Sequence, residues 1–305
     1  MLKKEGISNY TPIKVESRLD EIKKYHLYRN DYSRLHFQVN DASSYCEKNL
    51  AHCYKPHQHS FYQFIWFKEV GQHYVDYEVI KHEPDTLFFL DKGQIHNFCK
   101  HSVNEGVLFH FDEDLLHQND PDSEKRLQQK VFNSIGKPYL KLPADQVQLF
   151  EDTTSRLITE MTNMDYNYSK HVYHLFQLLI LSVERLKHST SSIPPSNDKD
   201  YQLAVLFKNE IQNNMRQMLN IDQYSDMLGI SSKKLTEVSK TYLDDTPLNV
   251  VHKRKILEAK RLLSNTSLSI KELAYTLGFD QPTYFTKYFK KHTGLTPKDF
   301  IKQAL

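Results

Sequence analysis

The chain has 305 residues, of which 39% are hydrophobic, 12% aromatic and 26% charged. These are the proportions of a globular protein of about two domains, and they exclude wholesale disorder, collagen and a coiled-coil rod. The net charge of +2 hides an asymmetry: residues 201–305 carry 16 Lys and Arg against 10 Asp and Glu, whereas residues 1–200 carry 24 against 28.

Residues 1–35 are polar and weakly patterned, and read as an amino-terminal arm with no apolar secretory core. Cys46, Cys53 and Cys99 form no C-x-x-C pair, so neither a disulfide framework nor a zinc pattern is expected. Residues 36–123 are rich in strand formers, with runs at 61–67, 73–80, 86–90 and 106–111 separated by Gly, Pro, Asp and Lys. Short β-branched and aromatic runs at that spacing predict a small sandwich or barrel. Nine of the sixteen histidines lie between His52 and His117.

Residues 124–187 turn helical, with Leu175, Leu178, Leu179, Ser182, Val183 and Leu186 recurring at helical spacing. So apolar a stripe must be covered, by the strands or by a second subunit. Dimerisation is the expectation. The longest apolar stretch, 175–183, falls far short of the ~20 residues a membrane span needs. Residues 188–200, with a Pro-Pro pair among polar residues, read as a linker.

The basic last third, 201–305, contains a duplication. Ile221-x-x-Tyr224-Ser225-x-x-Leu228-Gly229 recurs as Ile270-x-x-Leu273-Ala274-x-x-Leu277-Gly278, and Thr246-Pro247 as Thr296-Pro297. In the second copy Ser269 and Glu272 form a capping box, and Gly278 permits the left-handed stop. Asp280 is expected to cap the next helix, with Pro282 in its first turn. That helix buries Phe285, Tyr288, Phe289 and His292, and shows Thr283, Thr286, Lys287 and Lys290 on the opposite face. A capped helix, a glycine turn and a second helix with a basic face make a helix-turn-helix, sized for the DNA major groove. The first copy repeats this logic, with caps at Asn220, Gln223 and Ser231. Its second helix has Leu235, Val238 and Tyr242 inward, and Lys233, Thr236, Glu237 and Lys240 outward. Pro247 opens a connecting helix to about Leu263, a strut of roughly 25 Å. Mid-face Thr236, Glu237, Thr283 and Lys287 are assigned to base edges, and Lys240, Lys290 and Lys291 to phosphates.

Residues 220–305 resemble the DNA-binding domain of AraC-type bacterial transcription regulators. The stretch Leu268 to Pro297 carries the resemblance along nearly its whole length, and Lys255-Ile-Leu-Glu-Ala-Lys-Arg-Leu-Leu263 adds to it. In the first copy Ser239 stands where that family usually has Phe, Asp244 where it has Gly, and Glu237 where it often has Arg. The resemblance implies base reading from Lys233 and Tyr284 as well. It also implies a cytoplasmic, effector-responsive regulator, usually an activator, with promoter DNA, RNA polymerase and a second copy as partners and no membrane association.

Residues 52–98 resemble the cupin-like effector domain of the same family through Pro56-His-Gln-His-Ser-Phe-Tyr-Gln-Phe-Ile-Trp-Phe67 and Gly93-Gln-Ile-His-Asn-Phe98. In cupin enzymes the corresponding positions hold a metal with three histidines and an acid; here they are His57, His59, Gln63 and His96. A metal site, a metal-free pocket and plain surface placement are the alternatives. The amide at Gln63 favours an effector pocket without metal or other cofactor, and sensing rather than catalysis. The alternative is a metal-dependent cupin enzyme fused to a DNA-binding domain. His73, His82, His101, His110 and His117 share no ligand spacing and are expected to be solvated. The fold class expected is α+β: a cupin-like barrel with a helical dimerisation segment, then an all-α domain of two helix-turn-helix units on a linker helix.

Overall fold

A computed structural model of the chain describes residues 22–28, 34–117, 122–132, 137–190, 198–265 and 268–304. Most of the arm expected over 1–35, and 191–197 of the linker, lie outside the described residues. The strands are β1 (Lys24–Tyr25), β2 (Phe37–Asp41), β3 (Gln58–His59), β4 (Tyr62–Phe67), β5 (Gly71–Val75), β6 (Glu78–His82), β7 (Thr86–Leu90), β8 (His96–Phe98), β9 (Gly106–Phe111) and β10 (Tyr139–Lys141). They pair as a five-stranded antiparallel sheet, β10-β7-β4-β9-β2, a three-stranded antiparallel sheet, β6-β5-β8, and a parallel pair, β1-β3. The expected closed barrel thus reduces to a coarser statement: separate sheets in the amino-terminal part, helices in the carboxyl-terminal part.

Side-chain alternation explains why β4, β7 and β9 are buried on both faces. Tyr62, Phe64, Trp66, Leu87, Phe89, Phe109 and Phe111 point one way, into a core shared with helices. Ile65, Phe67, Phe88, Leu90 and Leu108 point the other way, against Val75 and Phe98 of the smaller sheet. Gln63 and His110 share this second face and are buried there. The run at 73–80, read above as one strand, is a hairpin. Its turn residues Asp76 and Tyr77 both have positive φ, 48° and 72°. Two-residue hairpin turns demand such backbone, and the usual Asn-Gly signal is absent from this one.

The helices are α1 (Ala42–Lys48), α2 (Leu50–Cys53), α3 (Glu113–His117), α4 (Ser123–Leu127), α5 (Ala144–Asn163), α6 (Tyr168–Thr190), α7 (Lys199–Asn213), α8 (Ile221–Met227), α9 (Ser232–Tyr242), α10 (Pro247–Asn265), α11 (Ile270–Thr276), α12 (Pro282–Thr293) and α13 (Pro297–Ala304). A π-helical turn, Gln128–Phe132, follows α4. The stripe on α6 packs largely at home: Val172, Phe176, Leu179, Ile180, Val183 and Leu186 cover the five-stranded sheet together with Phe150 and Leu157 of α5. Leu179, Val183 and Leu186 are therefore not available to a partner. Leu178 and Leu181, on the far side of α6, are exposed. None of the described helices is long and apolar enough to cross a membrane.

The carboxyl-terminal helices hold two small cores on a shared α10. Phe207, Ile211, Tyr224, Leu235 and Val251 form one; Ile256, Ala259, Leu263, Leu273, Phe285, Phe289 and Phe300 form the other. The buried Lys255 joins them. Its Nζ donates to the carbonyls of Met215 (3.1 Å), Gln217 (2.9 Å) and Leu277 (3.0 Å), and burial lowers its pKa to about 8. Gly278 lies where this junction is tightest. At φ 81°, a Cβ there would stand 2.3 Å from the Arg216 carbonyl oxygen, so no side chain fits.

Candidate nucleic-acid interface and effector pocket

Local sequence sets both outward helices. Asn220 with Gln223, and Ser269 with Glu272, form complete capping boxes at the starts of α8 and α11. Ser231 caps α9 by accepting from the Lys234 N–H. Asp280 does not cap α12: the cap position is Gln281, without a side-chain bond, and Pro282 opens the helix. Here the proline's missing N–H leaves one fewer donor to satisfy.

On α12 Phe285, Tyr288 and Phe289 face inward, while Thr283, Tyr284, Lys287, Lys290 and Lys291 are exposed. Thr286 is half-buried and donates to the Pro282 carbonyl. His292 is exposed too, because this last turn lies beyond the core; its ring stands 4.5 Å from that of His252. On α9 Lys233, Glu237 and Lys240 are exposed. Thr236 is half-buried and its hydroxyl donates to the Ser232 carbonyl. Glu237 lies 3.5 Å from Lys234, which in turn holds Asp200 at 2.6 Å. Tyr242 is only half-buried, its hydroxyl donating to Asp198; Ser239 takes the fully buried place and donates to the Asp245 carbonyl. The corner after α9 passes through Asp244 at φ 53°, where the corner after α12 has Gly294 at φ 79°.

A cluster of buried histidines lies between the sheets. His57, His59, Gln63 and His96 are all buried, as are His73, His82 and His110; of the five histidines expected in solvent only His101 and His117 are exposed. Spacing along the chain gave no signal for His73, His82 and His110, because antiparallel pairing brings them in from separate strands. A pair of backbone hydrogen bonds between His57 and His96, 3.0 and 2.9 Å, ties the start of β3 to β8. Nitrogens of His57, His59 and His96 lie within 4.8 Å of one another. His57 Nδ1 donates to the Lys55 carbonyl at 2.9 Å. His96 Nδ1 faces His73 Nε2 at 3.2 Å, and its Nε2 faces His59 Nδ1 at 3.4 Å. Gln63 Nε2 donates to His110 Nε2 at 2.8 Å. Burial penalises the charged imidazolium, lowering the pKa of His57 to about 4 and of His110 to about 3, and carrying His59, His73 and His96 well below their ordinary value. At neutral pH these rings are uncharged.

Beside this cluster the β5–β6 turn touches α10. The Asp76 N–H donates to the Ile95 carbonyl (2.8 Å), and the Asp76 carboxylate accepts from the Ile95 N–H (3.3 Å) and Gln94 Nε2 (2.9 Å). The same carboxylate takes a bidentate pair from Arg261, Nε at 2.8 Å and Nη2 at 2.6 Å. Beside it the Tyr77 hydroxyl donates to Ser264 Oγ at 2.6 Å, and its ring meets Phe300 edge-on. No sequence pattern announces this contact, since its partners are about 185 residues apart.

Residues 224–303 match the family profile described as a helix-turn-helix domain. The xylose operon regulatory protein of Haemophilus influenzae is 30% identical over 131 residues, which cover 40% of this chain and 34% of that protein. The transcriptional activator RhaR of an Enterobacter species is 22% identical over 251 residues, covering 79% of this chain and 84% of that one. Among solved structures, the carboxyl-terminal domain of AraT, a response regulator from Geobacillus stearothermophilus, is 27% identical, with a TM-score of 0.32 over 33% of this chain and 84% of that one. The chain thus spans about a third of the length of the Haemophilus relative. Residues 224–303 thus carry a helix-turn-helix domain, and through it the chain is similar to bacterial transcription regulators.

Proposed function

We propose that this protein is a cytoplasmic, effector-responsive regulator that binds promoter DNA in a sequence-specific way and acts without catalysing a reaction. The observation that carries the reading is the pair of capped helix pairs on α10, each ending in an exposed helix with basic residues. In this reading α9 and α12 enter adjacent major-groove segments, about 34 Å apart. Thr236, Glu237, Thr283 and Lys287 face base edges, joined by Lys233 and Tyr284; Lys240, Lys290 and Lys291 face phosphates. Residues 36–123 are the cupin-like effector domain, with His57, His59, Gln63 and His96 lining the pocket. Residues 124–187 mediate dimerisation, 188–200 link, and 201–305 read DNA. The amide at Gln63, where cupin enzymes carry an acid, supports sensing over catalysis. Activation through contact with RNA polymerase is the sign the family suggests.

Two measurements test this. Footprinting on the promoter upstream of its own gene should protect two adjacent major-groove segments per subunit, and a chain that protects nothing at low salt sinks the reading. Light scattering should give a dimer, weakened by Leu181→Glu on the exposed side of α6; a monomer at micromolar concentration removes the assembly part.

A further inference from the structure

We infer that Lys234 is a further phosphate-binding residue of α9, and that Asp200, at the start of α7, withholds it by standing where a DNA phosphate would. This rests on the DNA-binding reading above.

The internal duplication puts Lys234 on the reading surface. With an offset of 50 residues, the buried Leu235, Val238 and Ser239 of α9 match the buried Phe285, Tyr288 and Phe289 of α12. The same offset matches Thr236 with Thr286, whose hydroxyls each donate to the carbonyl four residues back. It pairs Lys233 with Thr283, Glu237 with Lys287 and Lys240 with Lys290. Lys234 falls on Tyr284, which is 57% exposed. What stands open in the second copy is therefore covered in the first.

The cover is the first turn of α7. Lys234 Nζ donates to Asp200 Oδ2 at 2.6 Å, and Glu237, one turn along α9, lies 3.5 Å from the same ammonium. Asp198 holds Asp200 in position. Its Oδ1 caps α7 by accepting from the N–H groups of Asp200 (2.8 Å) and Tyr201 (3.1 Å), while its Oδ2 accepts from the Tyr242 hydroxyl of α9 (2.8 Å). The Tyr201 and Tyr242 rings meet edge-on at 6.0 Å. Asp200 is also well placed for its own helix, since a carboxylate in the first turn complements the dipole.

The two outward helices consequently differ in charge. Lys287, Lys290 and Lys291 stand on α12 with no acidic residue in that helix. On α9, Lys233, Lys234 and Lys240 are set against Glu237 and the α7 carboxylates Asp198 and Asp200. A lysine ammonium is a compact point charge with no geometric preference between a carboxylate and a phosphate oxygen. Asp200 thus competes with DNA for Lys234, and α9 makes one phosphate contact fewer than its lysines allow.

The experiment is fluorescence anisotropy of the full chain on the promoter upstream of its own gene, at salt concentrations from about 50 to 200 mM. Three proteins are compared: wild type, Asp200→Asn, and Asp200→Asn with Lys234→Gln. The asparagine keeps the shape of the side chain and leaves the Asp198 cap in place. The pair it removes is a third exposed, so little stability goes with it. Asp200→Ser serves if the amide variant folds poorly. Asp200→Asn should bind about threefold or more tightly at the lowest salt, with a log–log salt slope steeper by about one, for one more phosphate neutralised. In the double variant the slope should return to the wild-type value. Ethylation interference should place the extra phosphate in the half-site under α9. A wild-type slope in Asp200→Asn overturns the inference, as does a steeper slope that persists without Lys234. A wild type that binds no DNA at low salt refutes the functional reading itself, and the inference with it.

Discussion

Replacing Arg261 with Met should separate the β5–β6 hairpin from α10. The Asp76 and Arg261 side chains are only 12% and 14% exposed, so little water screens them. Two charge-assisted hydrogen bonds at 2.6 and 2.8 Å join them, each contributing about 1.5–3 kcal/mol net. Removing one partner leaves a buried charge alone, and the expected cost is about 3–5 kcal/mol. Asp76→Asn should cost less, because the amide still accepts from Ile95 and Arg261. The double variant should cost less than the two single losses combined, with a coupling energy of about 1–3 kcal/mol. Urea unfolding of the four proteins, followed separately by Trp66 fluorescence for the sheets and by far-ultraviolet circular dichroism for the helices, measures this. In the wild type the two signals should move together, and in Arg261→Met they should part. Coupling below about 0.5 kcal/mol, with coincident transitions in every variant, would refute the argument that this ion pair joins the two halves.

Asp244→Gly should stabilise the protein by up to about 1 kcal/mol in the same urea assay, since Asp244 holds a left-handed backbone that glycine adopts without steric cost. Lys187 is buried over the Phe89 ring, its Nζ donating to the Val131 carbonyl, and burial lowers its pKa to about 7. Between pH 7 and its unfolded value near 10.4 the unfolded chain binds this proton and the folded chain does not, so stability should rise with pH there, by at most about 1.4 kcal/mol per unit. Lys187→Met should abolish that rise and stabilise the protein most below pH 7; an unchanged pH slope contradicts the assignment. Lys287→Ala should cost about 1–3 kcal/mol of DNA binding and relax selectivity at one base pair, while Lys290→Ala should weaken all sequences alike and lower the salt slope by about one. Binding across base-substituted sites at several salt concentrations separates them.

The carboxyl-terminal helices were legible because their signals are local. Caps at Asn220, Ser231 and Ser269, stops at Gly229 and Gly278, and 3.6-residue periodicity each act within a few residues. Asp280 misled because a cap competes with its neighbours: Pro282 fixed the helix start one position later. In the amino-terminal part strand existence was readable from aromatic runs, but pairing was not. His73, His82 and His110 offer no ligand spacing, yet sheet pairing buries His73 and His110 near His96 and His82 against Phe67 and Phe88. The hairpin turn at Asp76 and Tyr77 was hidden inside a continuous strand-forming run, and its partner Arg261 lay on a helix whose own periodicity needed no partner. The stripe on α6 was visible, but nothing in a one-dimensional pattern says which surface it covers.

The three hydrogen bonds from Lys255 have a consequence for the proposed reading of DNA. By tying the loop after α7 and the end of α11 to one point on α10, they make the 19-residue helix a ruler of about 28 Å with no joint at its centre. A ruler reads spacing as strictly as letters. One base pair inserted between the two half-sites moves the second by ~3.4 Å and turns it by about 35° around the duplex. In the proposed reading, with α9 and α12 in adjacent grooves, neither helix can follow that rotation while the other stays seated. Promoters recognised through both helices must therefore keep the interval between their boxes constant, even where the intervening bases are free to drift.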